Sequence, residues 1–135
     1  RKFEEFPECK KAKITIVKAG DTVNIGPFAV SFIHVSHSIP DTCALLIETK
    51  VGRVLHSGDW NLDPQPVLGH PTDAAGFKKA GDGGILAYVG DSTNAEVPGR
   101  SGSEADVEKG LANLFRECPG RIAVTIFASN ISRIR

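Results

Sequence analysis

Two kinds of hydrophobic pattern divide this chain, and their order narrows the folds open to it. From Lys13 to His56 the apolar residues come in short β-branched runs broken by Gly, Pro and Asp. Helical spacing appears only from Thr72 onward. β-branched side chains at period two favour extended backbone, whereas apolar residues three and four apart mark a helix face. Residues 13–17 therefore read as a strand, Gly20-Asp21 as a turn and residues 22–25 as a short strand. Residues 28–35 form the next strand, with Phe28, Val30 and Phe32 on one face. Residues 43–49 and 53–56 read as a hairpin about Lys50-Val51-Gly52, and residues 61–71 as a Pro-rich loop. Thr72 is expected to cap a helix that ends near Ala80, and Ser103 a second one reaching Glu117. The second carries an apolar stripe of Val107, Leu111, Leu114 and Phe115. Residues 85–89 and 122–127 read as buried strands, and Ser129-Asn130 as the opening of a third helix. Strands first, then alternating helix and strand, predict an α/β sandwich whose sheets are covered by helices.

The bulk properties exclude several classes. At 135 residues the chain can bury one core. Its 41% apolar and 24% charged residues are ordinary for a soluble globular protein. Sixteen basic and sixteen acidic residues cancel, so any nucleic-acid surface must be local. The apolar runs are too short to span a bilayer, and the first residues lack the apolar core of a signal peptide. Cys9, Cys43 and Cys118 are an odd, widely spaced set without a Cys-x-x-Cys pair. Reduced thiols in the cytoplasm are the expectation. The chain has no Met and stops soon after the Ser129 segment begins, so it reads as a piece of a longer protein.

Chemistry concentrates where strands end. His37 follows the strand of residues 28–35 in a loop tightened by Pro40. Asp59 follows residues 53–57, with Gly58 allowing a sharp turn. An imidazole and a carboxylate at neighbouring strand ends can hold a divalent metal. Each has a plainer reading: a structural His, and an Asp that shapes a turn. His56 lies inside its strand and reads as a buried, hydrogen-bonded His, His34 as structural, and His70 as solvated. Asp91 repeats the Gly-Asp pattern at another strand end. It can orient a ligand His or take part in proton transfer, or Ser92, Thr93 and Asn94 can simply satisfy a turn. Ala128-Ser129-Asn130 stands at a helix start, where free N–H groups suit a phosphate. Ser129 could equally serve only its own helix.

Six motifs in order resemble the ribonuclease J family, the bacterial β-CASP branch of the metallo-β-lactamase fold. They are His37-Ser38-Ile39-Pro40-Asp41, Gly58-Asp59-Trp60, Asp63-Pro64-Gln65-Pro66-Val67, Pro71-Thr72-Asp73, Asp91-Ser92-Thr93-Asn94-Ala95-Glu96 and Phe127-Ala128-Ser129-Asn130-Ile131. The resemblance runs from about Ile14 onward. It implies a partial metallo-β-lactamase αββα sandwich over residues 1–102 and the start of a β-CASP domain over 103–135. It also implies a zinc-dependent endonuclease and 5′→3′ exonuclease with two Zn2+ ions per site. The expected partner is RNA, 5′-monophosphorylated, and the full-length protein is expected to be a homo-oligomer, dimer or tetramer. By resemblance His37 is a zinc ligand and Asp59 the carboxylate bridging both zincs. Asp91 is the acidic residue that supports catalysis, and Ala128, Ser129 and Asn130 contact substrate. The family's His-x-His-x-Asp-His motif is absent, so these residues alone are not expected to be an active nuclease. Three other readings stay open: a calcineurin-like phosphoesterase, a small-molecule hydrolase of the metallo-β-lactamase fold, and a degenerate, non-catalytic RNA-binding homologue.

Overall fold

The β-branched runs pair as a meander. The computed structural model describes Phe6, Glu8, residues 12–130, Arg133 and Ile134. In it β1 (Thr22–Ile25), β2 (Phe28–His34), β3 (Cys43–Glu48) and β4 (Arg53–His56) form successive antiparallel pairs. The chain then passes through α1 (Ala74–Asp82) and returns as β5 (Ala87–Val89), parallel to β4. A parallel return needs a crossover, and the 61–71 loop with α1 supplies it. The sheet order is β1-β2-β3-β4-β5, and α2 (Glu104–Glu117) follows. The result is a mixed α/β structure with one five-stranded sheet and two helices. Among the described residues no helix is long and apolar enough to cross a membrane.

Period two decides which face becomes the core. Ile33 and Val35 from β2 and its end, Ala44 and Leu46 from β3, and Leu55 from β4 bury together under Ala80 of α1. Trp60, Phe77 and Ile85 pack on this cluster. The register agrees, since Ile33 faces Ala44 and Leu46 faces Leu55 across the strands. The main core therefore lies on the odd-numbered side of β2, and Phe28, Val30 and Phe32 share the other face, as their alternation implies. Gly76 matters here, because a Cβ would press on Ile33 and on the Asp73 carboxylate. The opposite face, with Phe32, His34, Cys43, Leu45 and His56, borders a cleft beneath Ile16 and Val17.

Several elements differ from the sequence reading. The helix of residues 74–82 is capped by Asp73, whose carboxylate accepts the Gly76 N–H at 2.8 Å. Thr72 is not the cap because its hydroxyl is engaged in tertiary hydrogen bonds. Residues 13–17 and 122–127 form no strand. β propensity is expressed through a pairing partner, and neither run pairs with any strand among the described residues. Ile122, Val124, Ile126 and Phe127 are exposed rather than buried. The buried strand expected at 85–89 is the three-residue β5, an exposed edge with Tyr88 and Val89 open to solvent. Ser103 does cap α2, in a reciprocal box with Asp106. The helix expected after Asn130 falls largely on residues 131 and 132, outside the described residues, as does Cys9.

Candidate functional site

Three strand ends converge on one polar cavity. His37 stands three residues beyond β2, Asp59 three beyond β4 and Asp91 two beyond β5. All three line a cavity of about 570 Å³ together with Trp60, Asn61, Ser92 and Asn94. Its volume lies within the range of small-ligand pockets. The sequence placed these side chains at separate strand ends; the meander and the parallel β5 bring them together.

The backbone that carries them is cross-tied. Gly58 adopts φ +60°, which turns the chain out of β4 and releases Asp59. Ser57, wholly buried, donates its hydroxyl to the Gly58 carbonyl at 2.7 Å and accepts the Asp91 N–H at 3.0 Å. Its own N–H reaches the Val89 carbonyl at 2.9 Å. One buried hydroxyl thus links the two Gly-Asp turns. At Gly90 a Cβ would meet the far end of the exposed Tyr88 ring, which would have to swing aside. On the other side Asn61 N–H donates to the Ser36 carbonyl at 2.9 Å, joining the His37 and Asp59 loops. Thr72 seals that junction. Its hydroxyl donates to the Asn61 carbonyl at 2.6 Å and accepts the Ser36 N–H at 2.9 Å.

The donors fit a cation in part. His37 Nδ1 lies 3.1 Å from the Ser38 hydroxyl, and Nε2 has no hydrogen bond among the described residues. Asp59 is exposed, and among the described residues its carboxylate has no hydrogen bond or ion pair. Imidazole nitrogen plus carboxylate oxygen is a zinc-type donor set. Among the described residues no group of three or more His, Cys, Asp or Glu is arranged to hold a metal ion. One imidazole and one carboxylate do not by themselves complete a zinc site. Asp91 is already engaged. Thr93 donates its hydroxyl and its N–H to Oδ1, and these bonds, with His37 nearby, hold its carboxyl below the usual carboxylate range.

The other histidines face elsewhere. His34, His56 and His70 border the cleft on the opposite side of the sheet. His34 Nε2 lies 2.9 Å from the His70 carbonyl. His56 Nδ1 accepts the Gly58 N–H at 3.0 Å, which fixes the turn beneath Asp59. His56 is exposed, not buried as its strand position suggested, though it is hydrogen-bonded as expected. Ala128, Ser129 and Asn130 are not part of the His37 cavity. Asn130 borders a separate hollow with Thr125, Phe127 and Arg133.

Three supporting residues escaped the sequence reading: Ser57, Thr72 as a tie rather than a cap, and Asp63. Asp63 is 4% exposed and accepts the Gln65 and Glu104 N–H groups at 2.8 and 2.7 Å. It fastens the Pro-rich loop to the start of α2, where a carboxylate complements the helix dipole. Its only sequence signal was its place at the head of the Asp63-Pro64-Gln65-Pro66-Val67 motif. The partner 41 residues away had no local mark.

A layered α/β chain with polar residues gathered beyond the strand ends is a frequent enzyme arrangement. Comparison with known proteins narrows the class. No family model matches the sequence. The chain is 48% identical over 122 residues to ribonuclease J of Sinorhizobium meliloti, covering 90% of this chain and 22% of that protein. It is 39% identical over 132 residues to ribonuclease J of Mycobacterium tuberculosis, covering 95% of this chain and 24% of that protein. With ribonuclease J of Helicobacter pylori it shares 36% identity over 134 residues, covering 98% of this chain and 19% of that protein. The chain is a homologue of ribonuclease J over the segment that it spans. That segment is about a fifth to a quarter of the length of these relatives. A crystal structure of a protein of unknown function from Enterococcus faecalis matches the fold with a TM-score of 0.67 at 21% identity, covering 94% of this chain and 31% of that one.

Proposed function

We propose that the protein containing this chain is a ribonuclease that hydrolyses RNA phosphodiester bonds at a two-zinc centre of the metallo-β-lactamase type. The observation that carries the reading is the convergence of His37, Asp59 and Asp91 on one cavity. Homology to ribonuclease J over nine-tenths of the chain supports the choice of RNA. In this reading residues 1–102 belong to a metallo-β-lactamase αββα domain and residues 103–135 open a β-CASP domain. The remaining ligands come from other parts of the protein.

The chain's own residues have separable roles. His37 and Asp59 would hold the metal, with Asp59 bridging two ions, because a carboxylate has two oxygens and offsets part of the positive charge. When bound, such ions supply charge stabilisation at phosphorus and acidify water. Asp91 offers Oδ2 as a hydrogen-bond acceptor while Thr93 pins Oδ1. That pinning aims the carboxylate and favours its ionised form. Ala128, Ser129 and Asn130 would contact the RNA strand, with the 5′-monophosphorylated form preferred. The protein would work in the cytoplasm as a dimer or tetramer.

The test is hydrolysis of a 5′-monophosphorylated oligonucleotide by the intact protein. Asp59→Asn should abolish turnover, because the amide loses the charge and one anionic oxygen. Turnover by Asp59→Asn close to that of wild type would refute the reading. Alanine at Ser129 and Asn130 should weaken RNA binding while zinc content stays unchanged. Unaltered affinity in that double variant would remove both from the substrate site.

A further inference from the structure

The His37 cavity has a neighbour. A second hollow, of about 750 Å³, adjoins it, and the two share Asn61, Asn94 and Ser101 as lining. Asn61 to Pro64 form one wall of the extension, and Val97 to Gly102 form the other. The first wall is anchored at two points. Asn61 is held by Ser36 and Thr72, and Asp63 is bonded to Gln65 and Glu104. The Asp63 carboxylate is buried, and both its oxygens are occupied, so it presents little free charge to the hollow.

Charge along this trough is uneven. The inner part carries Asp59 and Asp91, which on their own would repel a polyanion. Of the residues lining either part, Arg100 alone is a Lys or Arg. Arg100 is exposed and has no ion pair or hydrogen bond among the described residues. By contrast, Arg53 and Arg133 are each paired with a glutamate. An unpaired guanidinium on a polar cleft presents a fork of N–H donors matched to a phosphate.

We propose that the trough is the bed of a single-stranded RNA, and that Arg100 binds a backbone phosphate of a nucleotide next to the one placed at His37, Asp59 and Asp91. The inference rests on the ribonuclease reading and adds a direction to it, since the strand leaves the reacting centre between Asn61–Pro64 and Val97–Gly102. Arg100 contacts substrate away from the reacting bond, so it governs binding and leaves the donor set untouched.

The experiment measures binding of a phosphorothioate-linked single-stranded RNA to the intact protein across a series of salt concentrations. Each phosphate neutralised on a single strand contributes a slope of about −0.7 in log K against log salt. Arg100→Ala should make that slope shallower by about 0.7 and weaken affinity roughly tenfold at low salt. Arg100→Lys should keep the slope, because the charge remains. Lys50→Ala, in the turn at the far end of the β3–β4 hairpin, should leave both quantities unchanged. A wild-type slope in Arg100→Ala would overturn the proposal, as would a loss of affinity without a change of slope. Absence of salt-dependent RNA binding in the wild type would instead overturn the ribonuclease reading on which it stands.

Discussion

At the scale of single residues, identity and surroundings separate four histidines that look alike in sequence. His37 leaves the sheet on a loop and lines the polar cavity, while His34, His56 and His70 border the opposite cleft. His56 is three residues from Asp59, yet its Nδ1 is occupied by the Gly58 N–H at 3.0 Å. His56→Ala should therefore cost about 1 kcal/mol of stability, the worth of one hydrogen bond, and leave zinc content unchanged. Denaturant unfolding and metal analysis of the same variant check both halves. Gly58 and Asp59 were readable from sequence because a glycine before an acid at a strand end is a local signal. Ser57 was not, since what gives it a role is the Asp91 N–H, 34 residues away.

At the scale of elements, caps and ties decide where loops sit. Thr72 was read as a helix cap because Thr before Asp and an apolar run is a usual N-terminus. The structure gives that task to Asp73 and uses the Thr72 hydroxyl to clamp Ser36 to Asn61. Thr72→Val keeps the shape and removes both bonds. It should cost about 1–3 kcal/mol, since it strands a part-buried N–H and carbonyl. Thr72→Ser should recover most of the loss, and equal unfolding midpoints for Val and Ser would contradict the clamp. Asp106 accepts the Ser103 N–H at 3.1 Å and hydroxyl at 2.9 Å, and these bonds, the backbone one foremost, hold its carboxyl below the usual carboxylate range. A depressed folded-state pKa favours the folded state above the unfolded value and loses that contribution as pH falls through the folded one. The stability gap between wild type and Asp106→Asn should thus be full above about pH 4 and shrink on further acidification. A gap that stays constant down to pH 2 would contradict the capping role.

Across the whole molecule, packing is unequal. The antiparallel strands and α1 share the core, whereas α2 buries no residue and leaves Leu114 and Phe115 exposed. Residues 121–127 have no ladder partner among the described residues, and Phe127 is 84% exposed. Local stability follows burial and hydrogen bonding. Amide exchange of this chain should therefore be slowest in β2, β3 and β4 and fastest in α2 and residues 121–130. Uniform protection across both groups would contradict this picture. The same inequality explains what sequence could tell. The β2 to β4 strands were legible because each carries its own alternation and turns. The residues 13–17 and 122–127 share that composition, but strand formation depends on a neighbour that composition does not specify. The convergence of His37, Asp59 and Asp91 is likewise a property of the strand order, which no single motif encodes.

The assignment of His37 and Asp59 as metal donors meets its most direct test in the zinc stoichiometry of the intact protein, determined by elemental analysis. Wild type and His34→Ala should carry zinc in equal, stoichiometric amounts, while His37→Ala and Asp59→Asn should both fall well below them. Equal zinc in all four proteins would contradict the assignment.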